Sequence, residues 1–228
     1  MGAQLRLKLE RPRAYRPEDF VPSDANADAL EAIARWPKWH GGALALVGPA
    51  GSGKTHLARI WAERTGAVQL TGGDEGPVFD AAAAATPVLV EDADRLDHDE
   101  ALFHLINLAA RSGGGLLLTA RTLPATWTTA LPDLKSRLNA LSVAQTAPPD
   151  DAVLTGVLRN LFRERNIRAS DELLAYLVRR IDRSVPEAQR TVARLDEAAD
   201  LEGRPVTRSL AKQVLDLDAT SEDVVCDG

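Results

Sequence analysis

Gly48-Pro49-Ala50-Gly51-Ser52-Gly53-Lys54-Thr55 is the stretch that decides the fold. It follows the apolar run Ala43-Leu44-Ala45-Leu46-Val47 and opens a segment, Lys54 to Arg64, that carries Leu57, Ile60 and Trp61 at helical spacing. Strand, glycine-rich turn and helix in that order make a phosphate-binding loop. The glycines let the backbone wrap so that its N–H groups face phosphate oxygens at a helix N-terminus. Lys54 supplies a cation to the β- and γ-phosphates, and the Thr55 hydroxyl can ligate Mg²⁺. His56, the next residue, is counted with the cofactor-binding set, although that helix position ordinarily serves packing.

Two further apolar runs, Pro87-Val88-Leu89-Val90 and Gly115-Leu116-Leu117-Leu118, end in polar loops. Short runs of this kind, alternating with helical segments such as His98 to Ala110, read as strands buried on both faces of a parallel sheet. The class is α/β. From Pro148 onward the pattern is helical throughout: Val153 to Arg165, Asp171 to Ile181, Pro186 to Ala199, and a shorter piece around Thr207 to Leu215. These predict a small all-helical lid, residues 148–217, after an α/β unit spanning 13–147. Residues 1–12 read as an extended segment, and 218–228 as an acidic disordered tail.

Composition narrows the function classes. The 228 residues are 45% hydrophobic and 26% charged, ordinary globular usage, with a net charge of -6. A chain of that charge is repelled as a whole by nucleic acid and anionic lipid, so any DNA contact has to be local. Between Arg159 and Arg194, nine arginines face five acidic residues. The lone Cys226 and the lack of a signal-like apolar stretch predict a cytoplasmic protein. The histidines show no metal-ligand spacing, and no run is long enough to span a membrane.

A nucleotide site needs acids beside its metal, and Val88-Leu89-Val90-Glu91-Asp92 ends a buried strand with two carboxylates, as a Walker B element does. Glu91 occupies the metal-side position, where Asp is usual, and Asp92 the water-activating one. Thr55, Glu91 and Asp92 are therefore the candidate metal ligands. After the next strand, Thr119 is placed where a hydroxyl could sense a γ-phosphate, or simply end the strand.

Phosphate loop, acidic strand end and helical lid together resemble the AAA+ ATPases. The likeness sharpens at Leu131-Pro132-Asp133-Leu134-Lys135-Ser136-Arg137-Leu138, which resembles a box of the bacterial initiator DnaA family. There the resemblance makes Arg137 a finger that reaches a neighbouring subunit's nucleotide. A guanidinium, forked and permanently charged, suits charge developing on phosphate oxygens. Glu18-Asp19-Phe20-Val21 is similar to the stretch that packs against adenine in that family, which adds Phe20 to the cofactor-binding residues. The resemblance covers residues 13–217 and includes no sequence-specific DNA-binding domain.

A core of this kind without a DNA reader resembles the DnaA-related Hda (HdaA) group, regulatory inactivators of DnaA. That resemblance implies a sliding-clamp motif in Gln4-Leu5-Arg6-Leu7-Lys8-Leu9, with Gln4, Leu5, Leu7 and Leu9 docking on the DNA polymerase III β subunit. Taken alone, the alternation equally suits a strand. The implied cofactors are ADP or ATP with Mg²⁺, ADP being the expected resting species. The implied partners are the clamp and DnaA, with homo-oligomerisation left open, at the nucleoid or replisome. The alternative is a helicase loader or DNA-remodelling ATPase driven by its own hydrolysis. One departure stands out: Pro186 falls where the family places a sensor arginine, leaving Arg183 or Arg190 to substitute.

Overall fold

The computed structural model describes residues 15–70, 76–96 and 98–222, with side chains described up to 216. The segment carrying Gln4, Leu5, Leu7 and Leu9 lies outside the described residues, as does 223–228. Five strands, β1 (Ala43–Val47), β2 (Val68–Gln69), β3 (Val88–Val90), β4 (Leu116–Ala120) and β5 (Ser142–Gln145), form one sheet in the order β2-β3-β4-β1-β5. Every pairing is parallel, with Val47 opposite Ala120 and Gln145.

The apolar runs are continuous because both faces are covered. Ala43, Ala45, Val47, Val88, Val90, Leu116, Leu118 and Ala120 turn to one core, where they meet α4 (Asp99–Ser112), α3 (Gly76–Ala83) and α5 (Pro132–Ala140). Their alternates Leu44, Leu46, Leu89 and Leu117 turn to the other, against α1 (Ala27–Ala34) and α2 (Lys54–Thr65). That period of two is the pleat of a strand. Trp61 of α2 is fully buried there, with the Trp39 ring 5.3 Å away.

Helices α6 (Asp151–Glu164), α7 (Asp171–Val178), α8 (Val185–Glu202) and α9 (Arg208–Glu222) gather a separate core around Leu154, Leu158, Phe162, Leu173, Leu177, Val192 and Leu210. Three of their N-termini are capped by side chains. Asp150, Ser170 and Ser184 accept hydrogen bonds from the amides of Val153, Leu173 and Glu187.

Two elements differ from the sequence reading. Ser142–Gln145, read as the point where the sheet composition ends, is the edge strand β5. Only its Ala144 is buried, so the strand lacks an apolar signature. Helix α9 runs on to Glu222, into the stretch read as tail; no glycine or proline interrupts it between Thr207 and Glu222. Among the described residues, no helix is long and apolar enough to cross a membrane.

Candidate nucleotide-binding site

The loop from Gly48 to Thr55 leaves β1 at the C-terminal edge of the sheet, where ligands of open α/β sheets bind. Gly51 (φ +74°) and Gly53 (φ +89°) adopt the left-handed conformation that lets the chain wrap before α2 begins. Lys54 is buried, and its ammonium donates to the carbonyls of Gly48 at 2.7 Å and Pro49 at 2.8 Å. Burial holds its pKa below the usual lysine value. Arg121 pushes the same way, while Asp92 and Asp94 oppose.

The loop is braced from a direction the sequence does not reveal. Ser52 Oγ donates to Pro49 O at 2.9 Å and lies 2.7 Å from the hydroxyl of Thr146, the residue after β5. Both side chains are buried. Thr146 also crowds the start of the loop: a Cβ on Gly48 would lie 2.2 Å from Thr146 Oγ1.

Phe20 and His56 come together at the loop. The His56 ring lies 5.5 Å from both Tyr15 and Phe20 in edge geometry, and its Nε2 is 3.0 Å from the Arg16 carbonyl. Phe20 Cε2 would stand 3.8 Å from a Cβ on Gly53. The same segment reaches the lid. Asp19 accepts from Arg163 Nη2 at 2.6 Å, its carbonyl accepts from Asn160 Nδ2 at 3.1 Å, and Val21 packs on Gly156.

The acidic strand end splits. Glu91 Oε2 accepts from Arg59 Nη2 of α2 at 2.7 Å and from Gln69 Nε2 of β2 at 3.0 Å. Asp92 is exposed and sits in the left-handed region (φ +48°), its amide donating to Thr119 Oγ1 at 3.0 Å. Thr119 itself is buried, so in this arrangement its hydroxyl serves the Asp92 backbone. Asp94 Oδ2 accepts from the amides of Arg121 and Thr122 and from the Thr122 hydroxyl. Arg121 follows β4, whose Ala120 carbonyl accepts the Gly48 amide at 3.1 Å, so this exposed arginine stands beside the loop.

These groups allow a test for magnesium. Thr55 is exposed and Asp92 is exposed with its charge felt at Lys54, so both fit a cation bridging to phosphate. Glu91 fits less well, because its Oε2 is taken by Arg59 and Gln69 and its Oε1 is buried. Among the described residues no cluster of three His, Cys, Asp or Glu offers an all-protein cage.

The lid closes on the loop through proline. Val185 N donates to Gly51 O at 3.3 Å, and a Cβ on Gly51 would meet Pro186 Cδ at 2.8 Å and Ser184 Cβ at 3.0 Å. The arginines that could replace a sensor are committed elsewhere, Arg183 to Asp151 at 2.6 Å and Arg190 to Glu187. Arg137 lies on α5, exposed and with no hydrogen bond or ion pair among the described residues. Leu134 and Leu138 of that helix are buried, and Lys135 Nζ ties it to the carbonyls of Ala125 and Trp127 at 2.8 and 2.9 Å.

Among solved structures the chain is similar to domain III of the replication initiation protein DnaA of Thermotoga maritima. The TM-score is 0.72 at 19% identity, over 89% of this chain and 95% of that one. The fold is that of DnaA domain III. AMPPCP-bound DnaA of Aquifex aeolicus gives 0.64 at 17% identity, covering 83% of this chain and 67% of the other. The Thermotoga maritima RuvB Holliday junction branch migration motor gives 0.67 at 16%, covering 90% and 72%. No family model matches the chain.

Proposed function

We propose that this chain is a nucleotide-bound negative regulator of replication initiation, which pairs with DnaA-ATP and supplies Arg137 to complete hydrolysis there, converting DnaA-ATP to DnaA-ADP. The observation that carries the reading is Arg137: an exposed arginine with no hydrogen bond or ion pair among the described residues, on a helix clamped to the core by Leu134, Leu138 and Lys135. A forked cation held ready for another subunit's phosphate is what a trans-acting finger requires.

In this reading residues 13–147 bind the nucleotide and 148–217 form its lid. Backbone amides of Gly48 to Gly53 and the Lys54 ammonium hold the phosphates, with Phe20 and His56 beside the base. ADP is the resting species, since neither the withdrawn Glu91 nor Pro186 suits turnover by the chain itself. Magnesium, when bound, neutralises phosphate charge at Thr55 and Asp92. Gln4, Leu5, Leu7 and Leu9 dock on the sliding clamp, which brings the regulator to newly replicated DNA.

The test is conversion of labelled DnaA-ATP to DnaA-ADP by the purified chain, with and without clamp loaded on DNA, for wild type and a Gln4→Ala/Leu5→Ala variant. Conversion that needs the clamp and fails in the variant supports the reading. ATP turnover by the chain alone, indifferent to DnaA, would instead support a DNA-remodelling ATPase.

A further inference from the structure

Arg59 lies four residues after Thr55 on α2, on the same helical face and one turn further from the phosphate loop. Opposite it, Glu91 leaves β3 next to β2, whose Gln69 pairs with Leu89. The Glu91 carboxylate is thus drawn into the gap between α2 and β2, where Arg59 and Gln69 both donate to Oε2. Two buried atoms, Glu91 Oε1 and Arg59 Nε, have no partner among the described residues. A side-on guanidinium–carboxylate fork would join these two atoms beside the Nη2–Oε2 bond, which is closed at 2.7 Å. Buried polar atoms without partners are rare, and closing this second leg satisfies both at once. The residue type fits as well, because glutamate is one methylene longer than the aspartate usual at this position.

We infer that Arg59 is a positioning residue that holds the Glu91 carboxylate in the gap between α2 and β2, so that a divalent cation at the phosphates is left with Thr55 and Asp92 and adds little to nucleotide affinity. The groups left to hold the phosphates are the loop amides and Lys54, with Arg121 standing beside Gly48. This inference rests on the nucleotide-binding reading above and deepens it.

Calorimetry with ADP in excess Mg²⁺ and again in EDTA tests it on the full chain, with thermal melts in parallel. In wild type the two affinities should agree within about twofold. Arg59→Met keeps the apolar stem but frees Glu91, and should raise the Mg²⁺-dependent ratio by about tenfold. Gln69→Leu should move it the same way by less, and Arg59→Lys should restore the wild-type ratio. A wild-type ratio near tenfold or above, or a ratio that Arg59→Met leaves unchanged, would overturn the inference. Should Arg59→Met fail to fold, the wild-type ratio and Gln69→Leu still decide. Absence of ADP binding in both conditions would instead remove the nucleotide-binding reading beneath it.

Discussion

Replacing Thr146 by valine removes one hydroxyl from behind the phosphate loop while keeping a β-branched side chain of nearly the same shape. The Ser52 hydroxyl still donates to Pro49 O at 2.9 Å, so no buried donor is orphaned on the loop side. What is lost is the 2.7 Å bond between two buried hydroxyls. A bond lost without an orphaned donor costs about 1 kcal/mol. In a chain of this size that lowers Tm by about 2–4 °C. Because Thr146 holds the Ser52 hydroxyl, the loop loses a fixed position, and ADP affinity should weaken about three- to tenfold. Ser52→Ala should cost more, since it removes both bonds and leaves Thr146 Oγ1 only a 3.5 Å approach to Val47 O. Thermal unfolding and ADP calorimetry on the two variants check this. A lowered Tm with unchanged ADP affinity would refute the bracing role and leave Thr146 a packing contact.

Three other outcomes follow from the site and its lid. Burial, and then Arg121, hold the Lys54 pKa below the usual lysine value, so ADP affinity measured against pH should begin to fall before that value as the ammonium is lost; affinity that stays flat through it would contradict the placement of Lys54. The Val153 amide holds the Asp150 carboxyl below the ordinary carboxylate range against the opposing effect of burial. Its contribution to stability is therefore complete above its unfolded value and lost as pH falls through the lower folded one. Asp150→Ala should cost about 1 kcal/mol at neutral pH, with the deficit shrinking in acid melts. Gly51→Ala places a methyl against Pro186 and Ser184 at φ +74°, costing about 1–2 kcal/mol in backbone strain alone and shifting the lid, which small-angle scattering with and without ADP would register.

The parts of the fold legible in the sequence are those whose residues signal locally. Ala43–Val47 and Leu116–Ala120 are apolar on both faces because helices cover both, and the glycine-lysine loop between strand and helix needs no tertiary information. Helices α6, α7 and α8 announce themselves by the helical spacing of their apolar residues, such as Leu154, Leu158 and Phe162. Strand β5 does not, because an edge strand with one buried residue has no period to read. The site divides the same way. Lys54, Thr55, Phe20 and His56 fall together at the loop, and Asp92 stands with its charge felt there. Thr146 reaches Ser52 across 94 positions of sequence, and Arg59 reaches Glu91 across 32. Both are ordinary residues in isolation, and only the folded sheet order brings them to the site.

The most direct test of the central claim is Arg137 itself. Purified DnaA loaded with labelled ATP is incubated with clamp on DNA and with wild type, Arg137→Ala or Arg137→Lys, and the ADP fraction followed over time. Arg137→Ala should keep the wild-type Tm, ADP affinity and clamp binding, since the side chain makes no hydrogen bond or ion pair among the described residues. It should lose DnaA-ATP conversion, by a factor that for arginine fingers reaches about 10³ to 10⁵, and Arg137→Lys should fail nearly as completely because a point charge lacks the forked contact. Full conversion of DnaA-ATP by Arg137→Ala would contradict the account.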